Sequence, residues 1–175
     1  MSETNQNVWA PWRMEYIAEL EQRRGGDCFL CRYRDQVQDD RQNHVLWRSQ
    51  RTLTVLNRFP YTNGHLLLAP ALHCPEPEEL PDDVLIELAR RICDAKRVLQ
   101  KALGARGFNI GMNLGRCAGA GLPEHIHWHI VPRWSGDTNF MAVTGNVRVI
   151  PQALQAVDEQ FRAAAAELEL PGDYA

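Results

Sequence analysis

The stretch His125-Ile126-His127-Trp128-His129-Ile130-Val131-Pro132-Arg133 constrains the fold more than any other. Three of the six histidines stand here at alternate positions, separated by Ile and Trp. Alternation with β-branched and aromatic partners predicts a strand. Side chains at i, i+2 and i+4 of a strand share one face. The three imidazoles are therefore expected on one side, with Ile126, Trp128 and Ile130 on the other. A rise of about 3.3 Å per residue puts His125 and His129 roughly 13 Å apart. That is too far for one metal with bonds of about 2 Å. Two of the three imidazoles could share an ion, but not all.

Upstream, Gly107-Phe108-Asn109-Ile110-Gly111-Met112-Asn113 predicts a second strand over Phe108 to Asn113. It runs into a loop with glycines at 115, 119 and 121. Glycine permits positive φ and close approach of backbone to a ligand. Consecutive amides in such a loop can form a nest for an anion. Placed directly before the histidine strand, the loop suggests a phosphate held against imidazoles.

These two segments together are the signature of the histidine triad family of nucleotidyl hydrolases and transferases. Leu56-Asn57-Arg58-Phe59-Pro60-Tyr61-Thr62-Asn63-Gly64-His65-Leu66 resembles the family's second-strand turn, and Asn109 to Gly115 the strand before the triad. Val8 to Ile17 and Val131 to Phe140 resemble the branch that acts on diadenosine polyphosphates, as phosphorylases or as fragile-histidine-triad hydrolases. The resemblance implies that His127 is a nucleophile toward the α-phosphorus, its second ring nitrogen held by a carbonyl of the glycine-rich loop. It implies that His129 donates to a phosphate oxygen, with amides of Gly119, Ala120 and Gly121 beside it. It also places Asn57 and Asn113 against ribose or phosphate. On residue grounds alone, each asparagine reads first as a turn or strand-end residue. One departure stands out: relatives carry Gln, Ser or Thr at the position of Gly121. Glu124 is similar to the phosphorylase subgroup, whereas a Cys-x-x-Cys pair is similar to the zinc-binding subgroups.

That pair, Cys28-Phe29-Leu30-Cys31, could be two buried thiols, a redox couple or half of a zinc site. The resemblance completes the zinc reading with His73 and His125 in a structural Cys2His2 set, and implies no organic cofactor. Cys74, Cys93 and Cys117 read as small apolar fillers. His44 reads as a surface residue, and His65 as a packing or hydrogen-bonding residue.

The remaining expectations follow from pattern. Strands are predicted at Val45 to Arg48, Leu53 to Leu56 and His65 to Ala69, with a turn at Asn63-Gly64. Leu85, Leu88, Ile92, Ala95, Leu99 and Ala102 form the stripe of a long helix. It opens on Asp82 and Asp83, where the helix dipole favours carboxylates, and stops at Gly104. Met14 to Glu21 predicts a short helix. Pro151 opens a last helix with Leu154, Val157, Phe161 and Leu168 on one side. The sum is an α+β fold: an antiparallel sheet of about five strands, one long helix across it and a C-terminal helix. The expected organisation is an N-terminal arm over 1–26, a core domain over 27–140 and a C-terminal extension over 141–175.

A length of 175 residues suits one domain. A net charge of −3 gives none of the basic footprint that nucleic-acid binding requires. No apolar run is long enough to cross a bilayer, so no membrane partner is expected. The polar, acidic start lacks a secretory signal, and five cysteines, an odd count, suggest no disulfide framework. The cytoplasm is the expected compartment. The resemblance implies a nucleotide substrate and a homodimer paired through the long helix and its neighbouring strand.

Overall fold

The computed structural model describes residues 28–137 and 150–170. The expected arm over 1–26 and the Met14 to Glu21 helix lie outside the described residues. Five strands, β1 (Val45–Arg48), β2 (Thr52–Leu56), β3 (Leu66–Pro70), β4 (Gly107–Met112) and β5 (Trp128–Arg133), form one sheet in the order β1-β2-β3-β5-β4. Every neighbouring pair is antiparallel. Around it stand helices α1 (Phe29–Asp35), α2 (Asp40–Asn43), α3 (Asp82–Leu103) and α4 (Leu154–Glu167), with short 3-10 turns at Val37–Asp39, Pro77–Glu79 and Arg116–Ala118.

The two faces of the sheet are covered unequally. Leu56, Leu66, Leu68, Ile126, Trp128 and Ile130 point to one side and are buried. There they meet Leu88, Ala95 and Leu99 of α3 and Val157, Phe161 and Ala165 of α4. The alternate residues Leu53, Val55, Leu67 and Ala69 face the other way and are covered by Leu30 and Tyr33 of α1. Among the described residues that smaller layer reaches as far as β3. The second face of β5 and β4 carries the histidines.

Local features hold this arrangement. Asp82 and Asp83 occupy the first turn of α3, and Gly104 ends it in the left-handed conformation at φ 62 with its amide on the Gln100 carbonyl. Gly64, at φ 76, makes the tight β2–β3 connection. A Cβ there would lie 2.5 Å from Leu103 Cδ1 and 2.9 Å from Phe161 Cζ, so only glycine lets this turn pack under both helices.

Bounds shift by one residue at β2, β3 and β4, and the last helix begins at Leu154 rather than at Pro151. The last strand begins at Trp128 rather than at His125. Its upstream residues bond elsewhere: the Ile126 amide donates to the Cys74 carbonyl at 2.8 Å. His125 and His127 nevertheless keep the alternation, because Ile126 is held in the core between them.

Candidate active site and metal centre

β5 delivers His129 to the open face, in register with Leu67 on one side and Gly111 on the other. His127 precedes it, 8 % exposed, with ring centroids 5.1 Å apart. The Nδ1 of His127 lies 2.9 Å from the carbonyl of His125. A carbonyl only accepts, so Nδ1 carries the proton and Nε2 keeps its lone pair. The carbonyl expected from the glycine-rich loop is thus supplied by the triad's own first residue. Burial lowers the pKa of His127, keeping the imidazole neutral.

His129 is oriented by a residue from the β2–β3 turn. His65 is fully buried, and its Nδ1 accepts the Tyr61 amide at 3.1 Å, with the Asn57 side-chain amide at 3.2 Å. With two donors on Nδ1, the proton of neutral His65 resides on Nε2. That atom is 3.0 Å from His129 Nδ1 and donates to it. His129 must then carry its own proton on Nε2; Asn113 Nδ2, 3.5 Å away, is also a donor, so the two do not bond to each other and both can serve an acceptor. One backbone amide therefore sets two tautomers in series. Tyr61 also stacks on the His129 ring at 5.6 Å and 20°. Burial first, then the neighbouring His127, pushes the His129 pKa down to about 4.

The two asparagines part company. Asn113 reaches the triad face as expected, whereas Asn57 turns inward to His65 and caps the turn by accepting the Phe59 amide at 2.9 Å. The glycine-rich loop is also more self-contained than expected. The Gly119 amide bonds to the Arg116 carbonyl and the Ala120 amide to the Gly115 carbonyl, at 2.9 and 3.3 Å. Gly121 takes part in neither bond. Arg116 and Glu124 close the loop across its base at 3.1 Å.

Behind the triad, Cys28, Cys31, His73 and His125 bring one ligand atom each to within 4.8 Å of one another. Cys28 caps α1, and one helical turn returns Cys31 beside it, the Cys31 amide facing Cys28 Sγ at 3.5 Å. His73 Nδ1 and His125 Nδ1 are 3.2 Å apart, and Cys28 Sγ lies 3.1 Å from His125 Nδ1. Two nitrogens on a tetrahedral zinc with bonds of about 2.0 Å stand about 3.3 Å apart. The second nitrogen of His125 settles the fit. Its Nε2 donates to the Pro70 carbonyl at 3.0 Å, leaving Nδ1 unprotonated toward the cysteines. Burial holds His125 down at about 4 and lifts the Cys28 thiol to about 11. A cation among these atoms reverses the second shift and draws out the thiolate.

Three smaller expectations need correction. Cys74 is buried as a filler, but Cys93 and Cys117 are exposed, on α3 and in the glycine-rich loop. His44 is not a free surface residue: it ends α2 in the left-handed conformation, and its Nδ1 lies 3.6 Å from the buried Asp158 of α4. No motif in the sequence marks Tyr61, whose stacking on His129 joins the β2–β3 connection to β5.

Comparison with known proteins adds four findings. A family model described as HIT domain matches residues 38–136. AP-4-A phosphorylase of Mycobacterium tuberculosis is 38 % identical over 154 residues, spanning 86 % of this chain and 79 % of the relative. The asymmetrical bis(5'-nucleosyl)-tetraphosphatase of Schizosaccharomyces pombe is 30 % identical over 95 residues, 54 % of this chain and 52 % of the relative. Among solved structures, a zinc-bound histidine triad family protein from Mycobacterium smegmatis superposes with a TM-score of 0.66 at 28 % identity. That match covers 82 % of this chain and 96 % of the other.

Proposed function

Since the chain belongs to the HIT domain family, we propose that it cleaves dinucleoside polyphosphates at the α-phosphorus through a covalent nucleotidyl-His127. The observation that carries this reading is the bond from His127 Nδ1 to the His125 carbonyl. It leaves Nε2 unprotonated and aimed from the open face of the sheet, as a nucleophile requires.

In the first step Nε2 forms a bond to the α-phosphorus as the bond from that phosphorus to the β-bridging oxygen breaks. The bridging oxygen leaves with the electron pair on the departing nucleoside polyphosphate. His129 Nε2–H, held in place by His65, donates to a phosphate oxygen and stabilises the charge that develops. Asn113 and the Gly121 amide supply further donors at the same phosphate, while Asn57 acts through His65. In the second step an acceptor oxygen displaces the imidazole and restores His127. Inorganic phosphate is the preferred acceptor, supported by the likeness to AP-4-A phosphorylase and by Glu124. Water is the alternative, supported by the likeness to the tetraphosphatase.

Cys28, Cys31, His73 and His125 would hold a structural zinc, which supplies a cross-link between α1 and the triad segment. A homodimer joined along β4 fits the position of that strand at the sheet edge, with Ile110 41 % exposed. Among the described residues no helix is long and apolar enough to cross a membrane, which accords with a cytoplasmic enzyme.

Product analysis tests the reaction. Diadenosine tetraphosphate with inorganic phosphate should yield ADP and ATP. AMP and ATP, unchanged by added phosphate, would make the protein a hydrolase. No cleavage under either condition overturns the reading.

A further inference from the structure

The β2–β3 connection sets one aromatic ring against both members of the bonded imidazole pair. Tyr61 stacks on His129 with ring centroids 5.6 Å apart and planes at 20°. The same ring leans on His65 at 4.5 Å and 42°. His65 and His129 have centroids 5.1 Å apart and are joined by the bond from Nε2–H to Nδ1 at 3.0 Å. The three rings therefore form a closed triangle, each in contact with the other two. Offset stacking at such separations is a favourable geometry for aromatic pairs.

The turn holds that ring in place from both sides. Pro60 precedes it, with a fixed φ of its own. The Tyr61 amide is engaged with His65 Nδ1 at 3.1 Å. Thr62, the next residue, donates its hydroxyl to the Pro132 carbonyl of β5 at 3.0 Å, and its carbonyl accepts the His65 amide at 3.3 Å. The segment carrying Tyr61 is thus tied to His65 and to the strand that bears His129.

Backbone and side chain of Tyr61 act on different freedoms of the site. The amide selects the tautomers of His65 and His129. A bond between two ring nitrogens sets their separation, yet the torsion that tilts an imidazole plane is broad and weakly preferred. The direction of the His129 Nε2–H therefore needs a second restraint. A ring lying 20° from the His129 plane supplies it.

We propose that Tyr61 is a positioning residue for His129, its ring fixing the imidazole plane so that Nε2–H points at the phosphate oxygen on which charge develops. The inference rests on the proposed cleavage of dinucleoside polyphosphates and on the donor role of His129 within it. A donor stabilises a transition state only when aimed at the developing charge. The contribution of Tyr61 therefore falls on kcat rather than on KM.

The test uses the full chain with diadenosine tetraphosphate. Tyr61→Leu keeps the amide and an apolar side chain but loses the ring. It should lower kcat about tenfold, the rate equivalent of one stacked pair, with KM unchanged. Tyr61→Phe, which keeps the ring, should recover most of the parent's kcat. Thr62→Val, which removes the tie to Pro132, should move kcat in the same direction as Tyr61→Leu. Two further readouts separate aiming from mere structural support. In a His129→Asn background Tyr61→Leu should cost no further kcat, because the ring has no imidazole left to orient. Imidazole nitrogen spectra of Tyr61→Leu should still show His129 protonated on Nε2, while the upfield ring-current shift of its ring protons disappears. Additive losses in the double variant, a change in KM with kcat intact, or a parental kcat in Tyr61→Leu overturns the positioning role and leaves the reaction standing. Failure of the parent protein to cleave the dinucleotide overturns the underlying reading, and this role with it.

Discussion

At the scale of single residues, the site depends on which nitrogen of each imidazole holds a proton. His127→Asn should lower turnover by several orders of magnitude, since the covalent route has no substitute nucleophile. Nucleotide binding, measured by calorimetry, should persist through the donors that remain. His129→Asn should be milder, on the order of 10²–10³ in rate, the loss of one charge-stabilising donor. Near-normal turnover by the first variant refutes the mechanism. The pH dependence follows from His129, whose pKa in the folded protein is about 4, whereas the unfolded chain binds that proton near pH 6.5. Because the unfolded state takes up the proton first, this contribution to stability is complete above about pH 6.5 and shrinks as pH falls toward 4. Urea midpoints at pH 7.5 and 5.0 should therefore differ less in His129→Asn than in the parent. An unchanged difference would show that His129 titrates alike in both states.

At the scale of elements, two junctions bear the load. Gly64 lets the β2–β3 turn pass beneath Leu103 and Phe161. Gly64→Ala should cost about 1–3 kcal/mol, from overpacking and a strained positive φ. A thermal midpoint equal to the parent's would contradict that packing. The second junction joins α1 to the triad segment through the four sulfur and nitrogen atoms. Cys28→Ser should lower both the zinc content, read by elemental analysis, and the thermal midpoint. Much less than one zinc per parent chain, after purification without chelator, would refute the metal site. These elements were largely legible in advance: β1 to β5 and α3 follow from period, and Gly104 stops α3 where a left-handed residue is needed. Less legible was anything set by pairing across the sheet. His65 and His129 are bonded although 64 positions apart, and no spacing rule links them. The glycine-rich loop misled for a related reason. Its amides looked available, yet a 3-10 turn at Arg116–Ala118 takes two of them.

At the scale of the whole molecule, the sheet divides the labour of the chain. One face is filled by α3 and α4 and provides most of the core; the other, among the described residues, is covered from β1 to β3, and the histidines lie beyond that cover. Among the described residues β4 is an edge strand beside that open face, and it is the surface proposed for a second copy. Sedimentation at micromolar concentration should show a dimer, and a 20 kDa species would refute the pairing.

His125 offers Nδ1 to the cysteines, Nε2–H to Pro70 and its carbonyl to His127. A chelator that strips the zinc would therefore also slacken the grip on the nucleophile, two residues away. Under the structural reading of the metal site, inactivation by chelation would then mimic a catalytic metal. Trapping the nucleotidylated imidazole, by rapid quench and mass analysis of the peptide bearing His127, tells those two enzymes apart.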